Sequence, residues 1–315
     1  MQSGKWITDL RPDTLLPDAA RRALTVRLEV VRDYLPLALH QPDKDPEHVH
    51  QLRVATRRAG AALDIFSVCL PTKVYKTARK RLRRLRRAAG EARDWDVFLL
   101  TLTARQRGRR PQPGIDFLMG YALAQRVAAQ EHLREANARL PSSFDRLLAE
   151  TVAAVHRPRS DSGPRTLIDL ARPLLTRLLK ELDQAAARDL ENYDNLHQVR
   201  IAGKRLRYAM EVFAACFDPP FREELYPAVE EMQEILGRAN DSHVAIGRLE
   251  ALRDQVRAVL PGEWQRFRGG IDGLLRYHRR RLPRERARFL EWWRRWQDAG
   301  TEAALANLLK APALS

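Results

Sequence analysis

The segments HQLRVATRR at residues 50–58 and HQVRIAGKRLRY at residues 197–208 share the pattern His-Gln-x-Arg-x-Ala-x-basic-Arg at an offset of 147 residues. The same offset carries Phe66 onto Phe213, Cys69 onto Cys216, Gly90 onto Gly237, Asp94 onto Asp241 and Val97 onto Val244 without a gap. Between His48 and Leu70, eight of 23 positions are identical at this offset, among them a histidine and two arginines. A fold built twice accounts for the apolar matches, and a site built twice accounts for the basic ones.

Around the first segment, Val49, Leu52, Thr56, Ala59, Leu63, Phe66 and Leu70 step by three and four residues, and Leu196, Val199, Gly203, Leu206, Met210, Phe213 and Phe217 repeat the stripe. That period marks the seam of a helix in a bundle. Strand-like alternation is scarce elsewhere, so the class is all-α. Leu24, Leu28, Val31 and Leu35 mark a preceding helix stopped near Pro36, and residues 167–190 supply its counterpart. Beyond Pro71, or Pro219 and Pro220, a third helix carries Ala78, Leu82, Leu85 and Ala89. Gly90 and Asp94 suggest a break, with Asp94 as the next N-cap. The expectation is four or five helices per unit: a first repeat over 10–157, a linker over 158–165 and a second repeat over 166–305.

The chain has 315 residues, with 56 Lys and Arg against 40 Asp and Glu and a net charge of +16. Such a field attracts polyanions: nucleic acid, phosphate polymers or anionic membrane surfaces. No uncharged run approaches the roughly 18 residues of a bilayer span, and the first residues lack a continuous apolar leader core. The two cysteines, Cys69 and Cys216, sit at equivalent places on apolar stripes and read as small core residues of a cytoplasmic protein.

His50, Arg53 and Arg57 fall at i, i+3 and i+7, one line along a helix beside its apolar seam, with Arg58 flanking it. His197, Arg200 and Lys204 repeat the line, flanked by Arg205 and Arg207. A competing reading pairs these arginines with bundle carboxylates such as Asp94 and Asp241. The run RKRLRRLRR at 79–87 adds Lys80, Arg83, Arg84 and Arg87 with no acid among them. Like charges at i, i+4 repel, so the run favours a nearby anion, and the equivalent stretch carries Glu230, Glu231 and Glu234 instead. Asp94, Asp96 and His243 form too small a set for a two-metal phosphohydrolase; caps or arginine partners are the expected roles, and no metal or other cofactor is expected. Phe289, Trp292, Trp293 and Trp296 have the spacing of a core stripe rather than of a base-stacking platform. No nucleotide-binding loop or nucleophile motif is present.

The two motifs, together with AGEARDWDV at 89–97 and LGRANDSHV at 236–244, resemble the CHAD family, the conserved histidine α-helical domain, over roughly residues 10–305. The resemblance implies two helical bundles of about four helices each, related by a pseudo-twofold axis, whose central basic surface binds inorganic polyphosphate. The Glu-x-Glu-x-Lys signature of the triphosphatase domain often joined to this family is absent, so catalysis is not implied. Ala59 and Gly60 replace the Leu206 and Arg207 of the second motif, which implies one arginine fewer in the first half. The residues expected to bind polyphosphate are therefore His50, Arg53, Arg57 and Arg58, then Lys80, Arg83, Arg84 and Arg87, and in the second half His197, Arg200, Lys204, Arg205 and Arg207. The alternatives are a sequence-indifferent RNA- or DNA-binding protein and a metal-dependent polyphosphate phosphohydrolase. Association with polyphosphate granules follows from the preferred reading.

Overall fold

The computed structural model describes residues 5–45, 47–107, 110, 112–139, 142–158 and 165–300. Among them the regular structure is helical, apart from one isolated bridge between Leu15 and Thr166. In chain order the helices are α1 (Leu16–His40), α2 (Glu47–Ile65), α3 (Thr72–Gln106), α4 (Pro113–Ala138), α5 (Phe144–Ala153), α6 (Leu167–Ala186), α7 (Tyr193–Phe213), α8 (Tyr226–Val259) and α9 (Trp264–Asp298). None is long and apolar enough to cross a membrane. Most of the linker expected at 158–165, and the end of the second unit beyond 300, lie outside the described residues.

The apolar stripes become the core. All seven stripe residues of α2 and its continuation are buried, and so are all seven of α7 and its continuation. Each stripe runs out through a single 3-10 turn, Ser67–Cys69 after α2 and Ala214–Cys216 after α7, which buries its cysteine. Burial pushes the two thiols up to about 11 and about 12, so both stay protonated and inert. Of the four aromatics expected on a core stripe, Phe289, Trp292 and Trp296 are buried, whereas Trp293 is only partly buried at the edge of the core.

Two expected helix boundaries are absent. Pro36 lies inside α1, which continues to His40. A proline interrupts the hydrogen-bond ladder only locally, and buried Leu35, Ala38 and Leu39 hold the last turns to the core. Helix α3 likewise passes through Gly90 and Asp94 unbroken, as α8 passes through Gly237 and Asp241. A helix-interior glycine costs only about 1 kcal/mol relative to alanine, which buried neighbours such as Ala89, Ala92 and Trp95 outweigh.

Sequential helices pack in pairs. Helices α3 and α4 run antiparallel, since Glu91 meets His132, Asp96 meets Arg126, and Gln106 meets Asp116. Helices α8 and α9 do the same through Arg238 with Glu285 and Arg279 with Glu250. Two contacts then join distant parts of the chain. At one, α4 crosses α9 where a Cβ on Gly114 would collide with the backbone of Phe267 and Gly270, so only glycine permits the approach. At the other, α2 packs on α7.

A buried ion pair fixes that second contact. The Glu211 carboxylate of α7 has no solvent exposure and accepts two hydrogen bonds from Arg58 of α2, at 2.7 and 3.1 Å. The Tyr226 hydroxyl of α8 donates to it at 2.9 Å, and the Arg27 guanidinium of α1 lies 3.5 Å away. Four helices thus converge on one carboxylate. Removing one member of a buried pair strands the others without compensation, at a cost of about 3–5 kcal/mol. Glu211→Ala is therefore expected to lower the unfolding free energy by about that amount, measured by urea denaturation. A loss under 1 kcal/mol would mean that the network does not hold α2 to α7.

Candidate polyanion-binding cleft

The Arg58–Glu211 contact places the polar face of α2 next to that of α7. Arg53 and Arg57 from α2 and Arg200, Lys204 and Arg205 from α7 line one open cleft of about 730 Å³. Its third wall is α3, which contributes Arg79, Arg86, Arg87 and Asp94, and Arg248 of α8 closes one end. Among the described residues, eight arginines and Lys204 line the cleft against three carboxylates, Asp64, Glu91 and Asp94. Two of the three are engaged by arginines, and the third has a histidine ring beside it. Asp64 pairs with Arg79 at 2.6 Å, Glu91 with His132 at 3.5 Å, and Asp94 with both Arg53 and Arg248 at 3.4 and 3.5 Å.

The remaining positive charge repels itself. Burial, and then Arg57, push the Arg53 guanidinium down to about 10, and the same two causes lower Arg200. Lys204 is affected most. Desolvation, followed by Arg57, Arg200, Arg53 and Arg207, pushes its ammonium down to about 5, so at neutral pH it is an uncharged amine amid guanidinium groups. Arg57 therefore acts on residues from both α2 and α7, the electrostatic consequence of the two rows facing each other.

Seven of the thirteen expected residues do not line this cleft. Arg58 bonds Glu211 beneath the cleft, and Arg207 lies 4.0 Å from Glu211 and 3.5 Å from Glu230, with its guanidinium over the Tyr208 ring. Neither histidine is among the lining residues. His50 and His197 stand one turn before Arg53 and Arg200, each with its Nδ1 buried and without a hydrogen-bond partner. Both imidazoles are lowered, first by burial and then by arginines: Arg93 for His50 and Arg200 for His197. Burial and these arginines favour the neutral imidazole at both positions. Lys80, Arg83 and Arg84 line a neighbouring cleft between α3 and the α4–α5 side, and Arg87 lines both.

The sequence reading missed Arg79, Arg86 and Arg248. Arg79 and Arg86 are seven residues apart on α3 and so share a face, a signal hidden within a run where nearly every residue is basic. At Gly60, where the second motif has Arg207, a Cβ would lie 3.3 Å from the Arg79 guanidinium; the missing side chain leaves room for Arg79. Arg248 has no motif to announce it. Its guanidinium rests 4.5 Å from the Trp95 ring centroid and reaches Asp94. The Asp94, Asp96 and His243 set is dispersed. Asp96 pairs with Arg126 at 3.0 Å, and His243 stacks on Tyr193 at 3.5 Å.

Lys204 has a measurable signature. Its folded-state value of about 5 lies below the unfolded reference of 10.5, so the unfolded chain binds more protons between those limits and this group's contribution to stability rises with pH. Lys204→Met is expected to raise the melting temperature, and by more at pH 6 than at pH 9. Thermal melts at the two pH values test this; an equal shift would place a charged ammonium in the folded cleft.

The CHAD domain family model matches residues 22–250. Among solved structures, the chain is similar to the CHAD domain from the plant Ricinus communis, with 25% identity and a TM-score of 0.64 over 84% of this chain and 94% of that one. It is also similar in fold to PptA from Streptomyces chartreusis, with 20% identity and a TM-score of 0.68 over 89% of this chain and all of that one. No curated protein matches it. With the family model spanning well over half of its length, the chain belongs to the CHAD domain family.

Proposed function

We propose that this protein binds inorganic polyphosphate, without catalysis, in the cleft between α2 and α7. The observation that carries the reading is the convergence of Arg53, Arg57, Arg200 and Lys204, from two helices far apart in sequence, on one cleft whose two aspartates are already paired with arginines. Guanidinium groups suit such a ligand because their forked donors grip phosphate oxygens bidentately and keep their charge when desolvated. An anionic chain along the cleft would supply the countercharge that the protein lacks. Both sequence repeats would contribute to the walls, the first through α2 and α3 and the second through α7.

Nucleic acid is the competing ligand. Sequence-indifferent binders of single strands present aromatic faces along the basic groove. Tyr208 is the aromatic side chain lining this cleft, and it is buried. The Phe289, Trp292 and Trp296 rings lie in the core. A chain of phosphates without bases fits better. A metal-dependent phosphohydrolase reading would need Asp94, Asp96 and His243 to converge, whereas their side chains have separate partners. Retention at polyphosphate granules in the cytoplasm is the cellular role this proposal implies.

Two measurements test it. Arg53→Glu with Arg200→Glu is expected to weaken long-chain polyphosphate binding by at least tenfold, about 1.4 kcal/mol, while Arg294→Glu leaves it nearly unchanged; RNA at equal phosphate concentration should not displace the ligand. Equal effects of the two changes, or displacement by RNA, would sink the proposal. In addition, an anion beside Lys204 and the two histidines raises their proton affinity, so binding takes up protons at pH 7. Calorimetry in buffers of different ionisation enthalpy reads that uptake, and release or no change would contradict it.

A further inference from the structure

Helix α9 carries eleven arginines and four acidic residues. Most of its arginines have partners. Arg266 pairs with Glu263, Arg279 with Glu250, Arg286 with Glu191, and Arg295 with Glu231. Arg276, Arg280 and Arg284 make no ion pair among the described residues, and they recur every four residues along one exposed line of the helix. They line an open groove of about 530 Å³, completed by Arg105 from the last turn of α3. The carboxylate in that groove, Glu285, is buried and already meets Arg238, Arg288 and Arg281 at 3.0, 3.1 and 3.6 Å. It has little left with which to neutralise the row. Like charges four apart on a helix repel, and α9 is held by its opposite face, through Leu274, Leu275, Phe289 and Trp292, whatever the row contains.

The groove lies in line with the cleft. On α3, Arg87, Asp94 and Arg105 are separated by seven and eleven residues, steps that return within about 20° of the same side of the helix. The 18 residues from Arg87 to Arg105 rise about 27 Å. One side of α3 therefore borders the α2–α7 cleft at one end and the α9 groove at the other. We propose that Arg276, Arg280 and Arg284, which lie beyond the segment matched by the family model, form with Arg105 a second polyanion-binding groove, which holds a further stretch of a long polyphosphate chain seated in the cleft. This rests on the proposed function and adds a chain-length preference to it. Tyr277, the aromatic residue in the groove, already has the Arg105 and Arg281 guanidinium groups over its ring, with centroid distances of 4.7 and 5.9 Å, which disfavours stacking of a nucleobase. A base-free polymer is again favoured.

The test is a triple variant, Arg276→Gln, Arg280→Gln and Arg284→Gln, compared with a triple control on the same helix, Arg266→Gln, Arg268→Gln and Arg294→Gln. Circular dichroism and melting temperature establish that both fold. Affinity is measured for a long-chain polyphosphate and for tripolyphosphate, which is too short to leave the cleft. The groove variant is expected to lose about tenfold in long-chain affinity, to show a shallower salt dependence by roughly two in log–log slope, and to bind tripolyphosphate as the wild type does. Unchanged long-chain affinity would overturn the groove, as would an equal loss in the control, which would indicate a diffuse field. A row needed for RNA but not for polyphosphate would also overturn it. Failure of the underlying reading is distinguishable, since the wild type would then bind polyphosphate of neither length.

Discussion

The buried Glu211 carboxylate sets the geometry on which the rest depends. Arg58 and Arg27 approach it from α2 and α1, and Tyr226 from α8, so a single anion on α7 fixes how four helices meet. Its low-dielectric setting makes the arrangement intolerant of a missing partner. Because Arg58 points down into that network, the next positions on the same helix, Arg53 and Arg57, turn toward Arg200 and Lys204. Structural pairing below and unpaired charge above are two faces of the same helix contact.

The cleft accumulates positive charge in a partly desolvated place, which weakens the proton affinity of its own bases. Lys204 responds by losing its proton and the histidines by staying neutral, so part of the repulsion is relieved until an anion arrives. The cleft is thereby less strained than its formal charge suggests. In the proposed complex this would couple ligand affinity to pH. Helix α3 extends the same logic in space, because its basic run borders the central cleft on one face and the α4–α5 cleft on the next.

Much of the fold is legible in the chain. The stripes from Val49 to Leu70 and from Leu196 to Phe217 are buried at every position, because a three–four period admits only one face to a core. The failures came where local signals were overruled. Pro36 and Gly90 are helix breakers by propensity, yet each sits beside buried residues whose packing outweighs a local cost of order 1–3 kcal/mol. The site was legible by halves. Arg53, Arg57, Arg200 and Lys204 were found from their spacing, whereas Arg58 and Arg207 were indistinguishable from them, since nothing local tells which arginine meets Glu211.

What the sequence determined by itself is therefore the all-helical class, the family and the existence of two matching basic rows, since periodicity and motif spacing are properties of the chain taken locally. Tertiary structure alone decided which cations remain unpaired. An arginine on a helix edge is a structural or a binding group according to whether another helix brings it a carboxylate. Glu211 does so for Arg58, and no such group reaches Arg57, Lys204 or the Arg276–Arg284 row among the described residues. That distinction depends on contacts between residues more than a hundred positions apart, which no local pattern records.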